Sequence, residues 1–137
     1  MNIKTKFALA TGILALVVAC TPATPVGGTL GTAIVGEQVT TDALSLGYSQ
    51  MNNVTDTKSY TYTCTSDTSD LSVGGVLSGG DIELTVSDGA GNLVINKTFS
   101  AVAGYTQILV APAGDWNVNL DLDGTSGQIG VELNTRN

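Results

Sequence analysis

Alternation of apolar and polar residues dominates the sequence from Leu44 to the C-terminus, and it is the feature that most constrains the fold of this chain. The clearest run spans residues 115–123, where four apolar side chains alternate with acids and amides: Trp116, Val118, Leu120 and Leu122. Successive side chains of a β-strand point to opposite faces, so this pattern predicts strands with one buried face and one wet face. No segment shows a sustained helical period. The sequence therefore predicts an all-β fold.

Glycine- and asparagine-rich turns separate the alternating runs, as between Ser87 and Leu93. The predicted strands cover residues 44–48, 59–66, 71–77, 81–87, 93–100, 105–111, 115–123 and 128–133. Seven or eight short strands of this kind are typical of an antiparallel, jelly-roll-like β-sandwich. We assign this domain to residues 43–137.

A second pattern within the domain resembles the bacterial pre-peptidase C-terminal domain. It is carried by the runs Leu44-Ser45-Leu46-Gly47, Ser59-Tyr60-Thr61-Tyr62-Thr63, Leu77-Ser78-Gly79-Gly80-Asp81-Ile82-Glu83-Leu84, Gly91-Asn92-Leu93-Val94 and Ala113-Gly114-Asp115-Trp116. The resemblance implies a non-catalytic β-sandwich of the kind appended to secreted peptidases, some relatives of which bind calcium, collagen or polysaccharide. We expect no peptidase domain beside this one, unlike the usual context of that family.

The N-terminal segment has the layout of a secretory signal peptide. Lys4 and Lys6 precede an uncharged apolar run over residues 7–18, which is too short to span a bilayer. The run ends at Val17-Val18-Ala19-Cys20, which resembles the lipobox of bacterial lipoproteins. That resemblance implies a signal peptide at 1–19 and a lipidated Cys20, followed by a flexible linker that completes the segment 20–42. Thr21 rather than aspartate follows the cysteine, which resembles sorting to the outer membrane.

The charge of the chain restricts its partners. All twelve Asp and Glu residues lie after Cys20, against Lys58, Lys97 and Arg136 as the basic residues of the same region. An acidic surface repels the phosphates of nucleic acids, so nucleic acid is excluded as a partner. The expected partners are the membrane, through the lipid, and either a polysaccharide or another envelope protein.

Catalysis is poorly supported because the chain contains no histidine. A Ser-His-Asp arrangement and the usual zinc sites both require one. We therefore expect a non-catalytic, lipid-anchored structural or interaction module of the cell envelope. A carbohydrate- or calcium-binding surface module is the alternative, and an accessory domain of a hydrolase is the second alternative.

Two sets of residues could form a ligand site. We expect no cofactor and no metal site, and Ca²⁺ is the alternative, for which oxygen ligands occur beside glycines at Asp88, Asn92, Asp121 and Asp123. Aromatic rings that could stack on sugars are Tyr48, Tyr105 and Trp116. Each set has a structural interpretation as well: turn geometry for the acids and amide, and core packing for the rings. Cys64, on the same face as Tyr60 and Tyr62, is expected to be a buried core residue.

Overall fold

A computed structural model describes residues 34–137, and all its strand pairs are antiparallel. Six strands make up this part of the chain: β1 (Ile34–Thr40), β2 (Ala43–Cys64), β3 (Thr68–Ser87), β4 (Leu93–Phe99), β5 (Tyr105–Val110) and β6 (Gly114–Thr135). The strand order is β1-β2-β6-β3-β4, and β5 pairs with β3. The fold is therefore all-β, as the alternation predicts.

The three central strands are unusually long and bend in the middle. β2 and β6 have 22 residues each and β3 has 20. Pairing of β2 with β6 shifts register between Tyr48 and Asp56, and pairing of β3 with β6 shifts between Leu77 and Asp81. Irregularities of this kind bend and twist a strand. The six strands form one hydrogen-bonded sheet, and each long strand contributes to both of its halves, which we call the first and the second sheet.

The first sheet has the order β1-β2-β6-β3-β5 and uses residues 43–49 of β2, 127–135 of β6 and 68–77 of β3. The second sheet has the order β2-β6-β3-β4 and uses residues 54–64, 114–123 and 81–87 of the same strands. The hydroxyl groups of Tyr48, in the first sheet, and Tyr60, in the second, are hydrogen-bonded. The two sheets thus pack face to face as a β-sandwich.

A single apolar core fills the space between the sheets. Trp116 and Tyr62 are fully buried and pack edge to face, with ring centroids 5.9 Å apart. The polar atoms of both rings are satisfied: Trp116 Nε1 donates to the Pro112 carbonyl at 2.8 Å, and the Tyr62 hydroxyl lies 2.8 Å from Thr135 Oγ1. Cys64 is buried as predicted, and its thiol donates to the Ser66 carbonyl.

The structure corrects the predicted strand count. Six of the predicted short strands are the two halves of β2, β3 and β6, divided at their bends. β1 lies within the segment assigned to the linker and pairs with β2 from Ile34↔Ser49 to Thr40↔Ala43. Residues 35–40 of this edge strand are all exposed, so β1 carries no alternating burial that a sequence could reveal.

The predicted signal peptide and Cys20 lie outside the described residues. Within residues 34–137 no helix has the length and apolarity that a membrane crossing requires.

Candidate binding groove

Four glycines form a continuous row across the outer face of the first sheet. Gly36 of β1 pairs with Gly47 of β2, Gly47 pairs with Gly130 of β6, and Gly130 pairs with Gly74 of β3. Residues that pair directly in antiparallel strands project to the same face, so all four positions lack a side chain along one line. Adjacent strands lie about 4.8 Å apart, which gives the row a length of about 14 Å. We call this feature the glycine groove.

None of the four glycines is required by the backbone. None has a φ in the left-handed region, and among the atoms of residues 34–137 a Cβ atom would meet nothing within 4 Å at Gly36 and Gly74. At Gly47 and Gly130 the nearest atoms are carbonyl oxygens at 3.9 and 3.7 Å, an ordinary contact distance. Glycine inside a strand destabilises a fold relative to alanine. The chain therefore carries a row of unfavourable residues for which the fold itself gives no reason.

The groove has room for a ligand and a mostly apolar lining, with a few polar side chains beside it. Its cavity of about 350 Å³ is lined by Tyr48, Ser49, Gln128 and Ile129 in addition to glycines. A smaller cavity continues along Gly74 and Gly130 to Ser72 and Glu132. The first volume lies at the low end of the range for small-molecule sites. Hydroxyl, amide and carboxylate groups of Ser49, Gln128 and Glu132 lie beside a floor of bare peptide backbone, and nothing in the described part of the chain covers the groove.

Two of the three aromatic candidates, Tyr48 and Trp116, are buried, which agrees with the core-packing interpretation of these rings. Tyr48 is 1% exposed and Trp116 is fully buried, because both occupy the inward phase of their strands. Tyr105 is half-buried at the start of β5, where its ring packs on Phe99 with centroids 5.6 Å apart. The Lys97 ammonium lies 4.7 Å from the centre of the Tyr105 ring. The three aromatic candidates do not meet at one surface, since each is committed to packing.

The structure gives Asp88 a role in its turn. Its Oδ1 accepts hydrogen bonds from the backbone N–H groups of Ala90 and Asn92, and its Oδ2 accepts one from Asn92 Nδ2. These bonds, led by the Asn92 side chain, hold the pKa of the Asp88 carboxyl below its usual range. Asp88 and Asn92 bind each other, which accounts for both residues without a cation.

The other acidic candidates lie far from this turn along the strands. Asp121 and Asp123 are exposed on the outer face of the second sheet, paired with Glu83 and Asp81 of β3. Thr57 Oγ1 donates to Asp121 at 2.5 Å, and Asn96 donates to Glu83. Among residues 34–137, no three His, Cys, Asp or Glu side chains are grouped in a way that could hold a metal ion.

Sequence reasoning missed the glycine groove, although its signal is present. Gly47, Gly74 and Gly130 each stand at an outward position of an alternating run, where a polar residue is the usual choice. In a single strand such a glycine indicates only a weak point or a bulge. The row exists because the pairing register brings the positions together.

No family model and no curated protein matches this sequence. Several solved structures are similar. A CBM4 structure is 12% identical, with a TM-score of 0.44 over 82% of this chain and 81% of that one. A carbohydrate-binding module from Cellvibrio mixtus lichenase 5A, in complex with cellotriose, is 12% identical, with a TM-score of 0.44 over 78% and 89%.

A carbohydrate-binding module CBM36, in complex with calcium and xylotriose, is 19% identical, with a TM-score of 0.38 over 74% of this chain and 91% of that chain. At these identities and TM-scores the similarity does not indicate a ligand for this chain. The resemblance to the pre-peptidase C-terminal domain stays a prediction.

Proposed function

We propose that this protein is a non-catalytic binding module of the cell envelope that holds an extended polysaccharide chain in the glycine groove. The observation that supports this most strongly is the register-matched row Gly36, Gly47, Gly130 and Gly74, at positions where side chains would fit. Keeping such a row costs stability, and a ligand that needs the floor clear explains it.

The shape of the groove favours a long ligand over a compact one. Its floor runs across four strands and lies on an open sheet face, whereas small apolar ligands are usually enclosed in deep pockets. A chain of sugar rings is narrow and extended. Its hydroxyl groups can bond to the side chains that border the groove, among them Ser49, Gln128 and Ser72.

The negative charge of the protein limits which kinds of sugar the groove could bind. Glu132 borders the groove, and the chain after Cys20 is strongly acidic. Uronic acids and sulfated or phosphorylated glycans would be repelled by this field. The proposed ligand is therefore a neutral polysaccharide, or one that carries amino groups.

We also propose that a lipid on Cys20 anchors the module to the membrane. A single acyl chain gives only marginal membrane binding, whereas several chains on one residue give stable anchoring. Substitution Cys20→Ala should abolish acylation and leave the precursor unprocessed. Mass spectrometry of the envelope fraction tests this, and an acylated Cys20→Ala protein would contradict the anchor.

Affinity electrophoresis through gels containing soluble xylan, β-glucan, mannan or chitosan tests the groove. We expect retardation of the native chain by at least one of these polymers and its loss in Gly130→Leu, whose side chain would stand in the groove. Asn117→Leu is the matched control, because Asn117 is an exposed outward residue of the same strand in the second sheet. Equal retardation of both variants, or none of the native chain by any polymer, would refute the proposal.

A further inference from the structure

Among residues 34–137, the outer edge of β5 pairs with no other strand. β5 forms all its strand pairs with β3, from Thr68↔Val110 to Val73↔Tyr105. No other backbone hydrogen bond within residues 34–137 involves residues 105–110. The N–H and C=O groups on the far side of β5 are thus free to pair with another strand.

β5 also lacks the devices that proteins use to block such an edge. Its sequence, Tyr-Thr-Gln-Ile-Leu-Val, contains no proline and no charged residue, and its register with β3 is unbroken over six pairs. Proline, lysine, inward charges and bulges are the usual guards against edge-to-edge pairing. Ile108 and Val110 are 48% and 69% exposed on its outward face. Apolar side chains therefore flank an open edge.

The edge strands β1, β4 and β2, by comparison, carry charged residues that oppose pairing with another strand. β1 carries Glu37, β4 carries Lys97 and pairs through a register shift near Ser87, and the edge half of β2 carries Asp56 and Lys58. The interval between Lys97 and Asp115, which contains β5, is the longest without charge in residues 34–137. The nearest charges on the same face are Asp70 of β3, which pairs directly with Ile108, and Arg136, whose Nη1 lies 3.9 Å from the Asp70 carboxylate and offsets its charge.

We propose that a second copy of this chain pairs with β5 through the same edge, about a two-fold axis. Two identical strands are complementary when they run antiparallel, and two-fold dimers are the commonest protein oligomers. An axis through Ile108 would place Ile108 beside its own copy and Val110 beside Thr106 of the partner subunit. Exposed apolar side chains then become cross-strand pairs on one face of a continuous sheet.

The dimer is weak and depends on salt. An interface of one six-residue edge is smaller than the standard size of stable complexes, so association is reversible and concentration-dependent. Because both copies are acidic, raising the ionic strength screens their repulsion and should strengthen the dimer.

Sedimentation velocity over a range of concentrations tests this on unlipidated chain from residue 21 onward, which retains every described strand. We expect a monomer–dimer equilibrium, and dimerisation weakened about ten-fold or more by Ile108→Lys, which places two lysines opposite each other. Val76→Lys is the matched control, since Val76 is 63% exposed on the outer face of β3, away from the edge. It should dimerise like the native chain.

Hydrogen exchange at low and high concentration identifies the edge. Amides of β5 should become protected on dimerisation, and amides of β1 should not. A native chain that stays monomeric at every concentration, an Ile108→Lys variant that dimerises normally, or protection of β1 in place of β5 would each overturn the proposal. None of these results bears on ligand binding in the glycine groove, which the electrophoresis measures separately.

Discussion

Replacing a groove glycine with alanine should stabilise this protein, which is an unusual expectation for glycines that line a candidate site. At Gly130 a Cβ atom would lie 3.7 Å from the Leu46 carbonyl oxygen and 3.8 Å from that of Gly74. These are ordinary contacts, so the folded state accommodates the methyl group without strain. The unfolded chain loses conformational freedom at the same time, which favours folding.

The magnitude follows from the strand environment. Glycine inside a strand is about 0.5–1 kcal/mol less favourable than alanine. Gly130→Ala should therefore raise the free energy of unfolding by about that amount, and the melting temperature by about 2–8 °C for a domain of this size. Gly47→Ala should behave alike, and in the double variant the two methyl groups would be direct cross-strand neighbours.

Urea unfolding followed by tryptophan fluorescence measures the effect, because Trp116 is the one tryptophan and is fully buried. Gly75→Ala is the contrasting variant. Gly75 has a φ of 146°, and a Cβ there would lie 2.3 Å from the Gln128 carbonyl oxygen, so this change should destabilise the fold. If Gly130→Ala destabilised the protein as Gly75→Ala does, the groove glycines would be structural and the reasoning would be refuted.

Three further outcomes are expected. Trp116→Ala should lower the free energy of unfolding by about 3–5 kcal/mol in urea titrations, because it empties a fully buried site. Burial raises the pKa of Tyr48 to about 12. Stability should therefore be complete below pH 10 and fall as the pH rises towards 12, with a smaller fall in Tyr48→Phe, as measured by thermal melts. Tyr60→Phe removes the 2.6 Å hydrogen bond to Glu37 and should speed amide exchange in β1, leaving Trp116 fluorescence unchanged.

The fold class could be predicted from alternation, but the continuity of the strands could not. The bends of β2 and β6 contain Gln50, Asn53, Gly124 and Gly127, all with positive φ. Such residues ordinarily mark turns, so the sequence pattern predicts that one strand ends there and another begins. In this protein three neighbouring strands bend at the same level, and the chain crosses from one sheet to the other without leaving the strand conformation.

The positions of single side chains could be predicted better than their grouping. Alternation places Tyr48 and Trp116 on inward phases, and the structure buries both. The pairing of Gly47 with Gly130 could not be predicted in this way, because the two positions are far apart in the sequence. Only the register of β2 with β6 connects them. Because the floor of the glycine groove has no side chains, it offers no charged group, aromatic ring or thiol by which the site could be recognised in the sequence.

The glycine groove and the β5 edge belong to the same sheet, and this links the two proposals. A two-fold axis that pairs two β5 strands with Ile108 beside its copy stands perpendicular to the sheet, so both outer faces point the same way. The dimer would then present two grooves on one surface. A long polysaccharide that reaches both grooves would bind the second groove at an effective concentration set by the dimer, and so would bind more tightly than to one copy.

Ile108→Lys should accordingly weaken binding to a long polymer and leave binding to a short oligosaccharide unchanged, as measured by titration calorimetry. Equal weakening for both ligands would show that Ile108 acts on the groove itself and that the grooves do not cooperate.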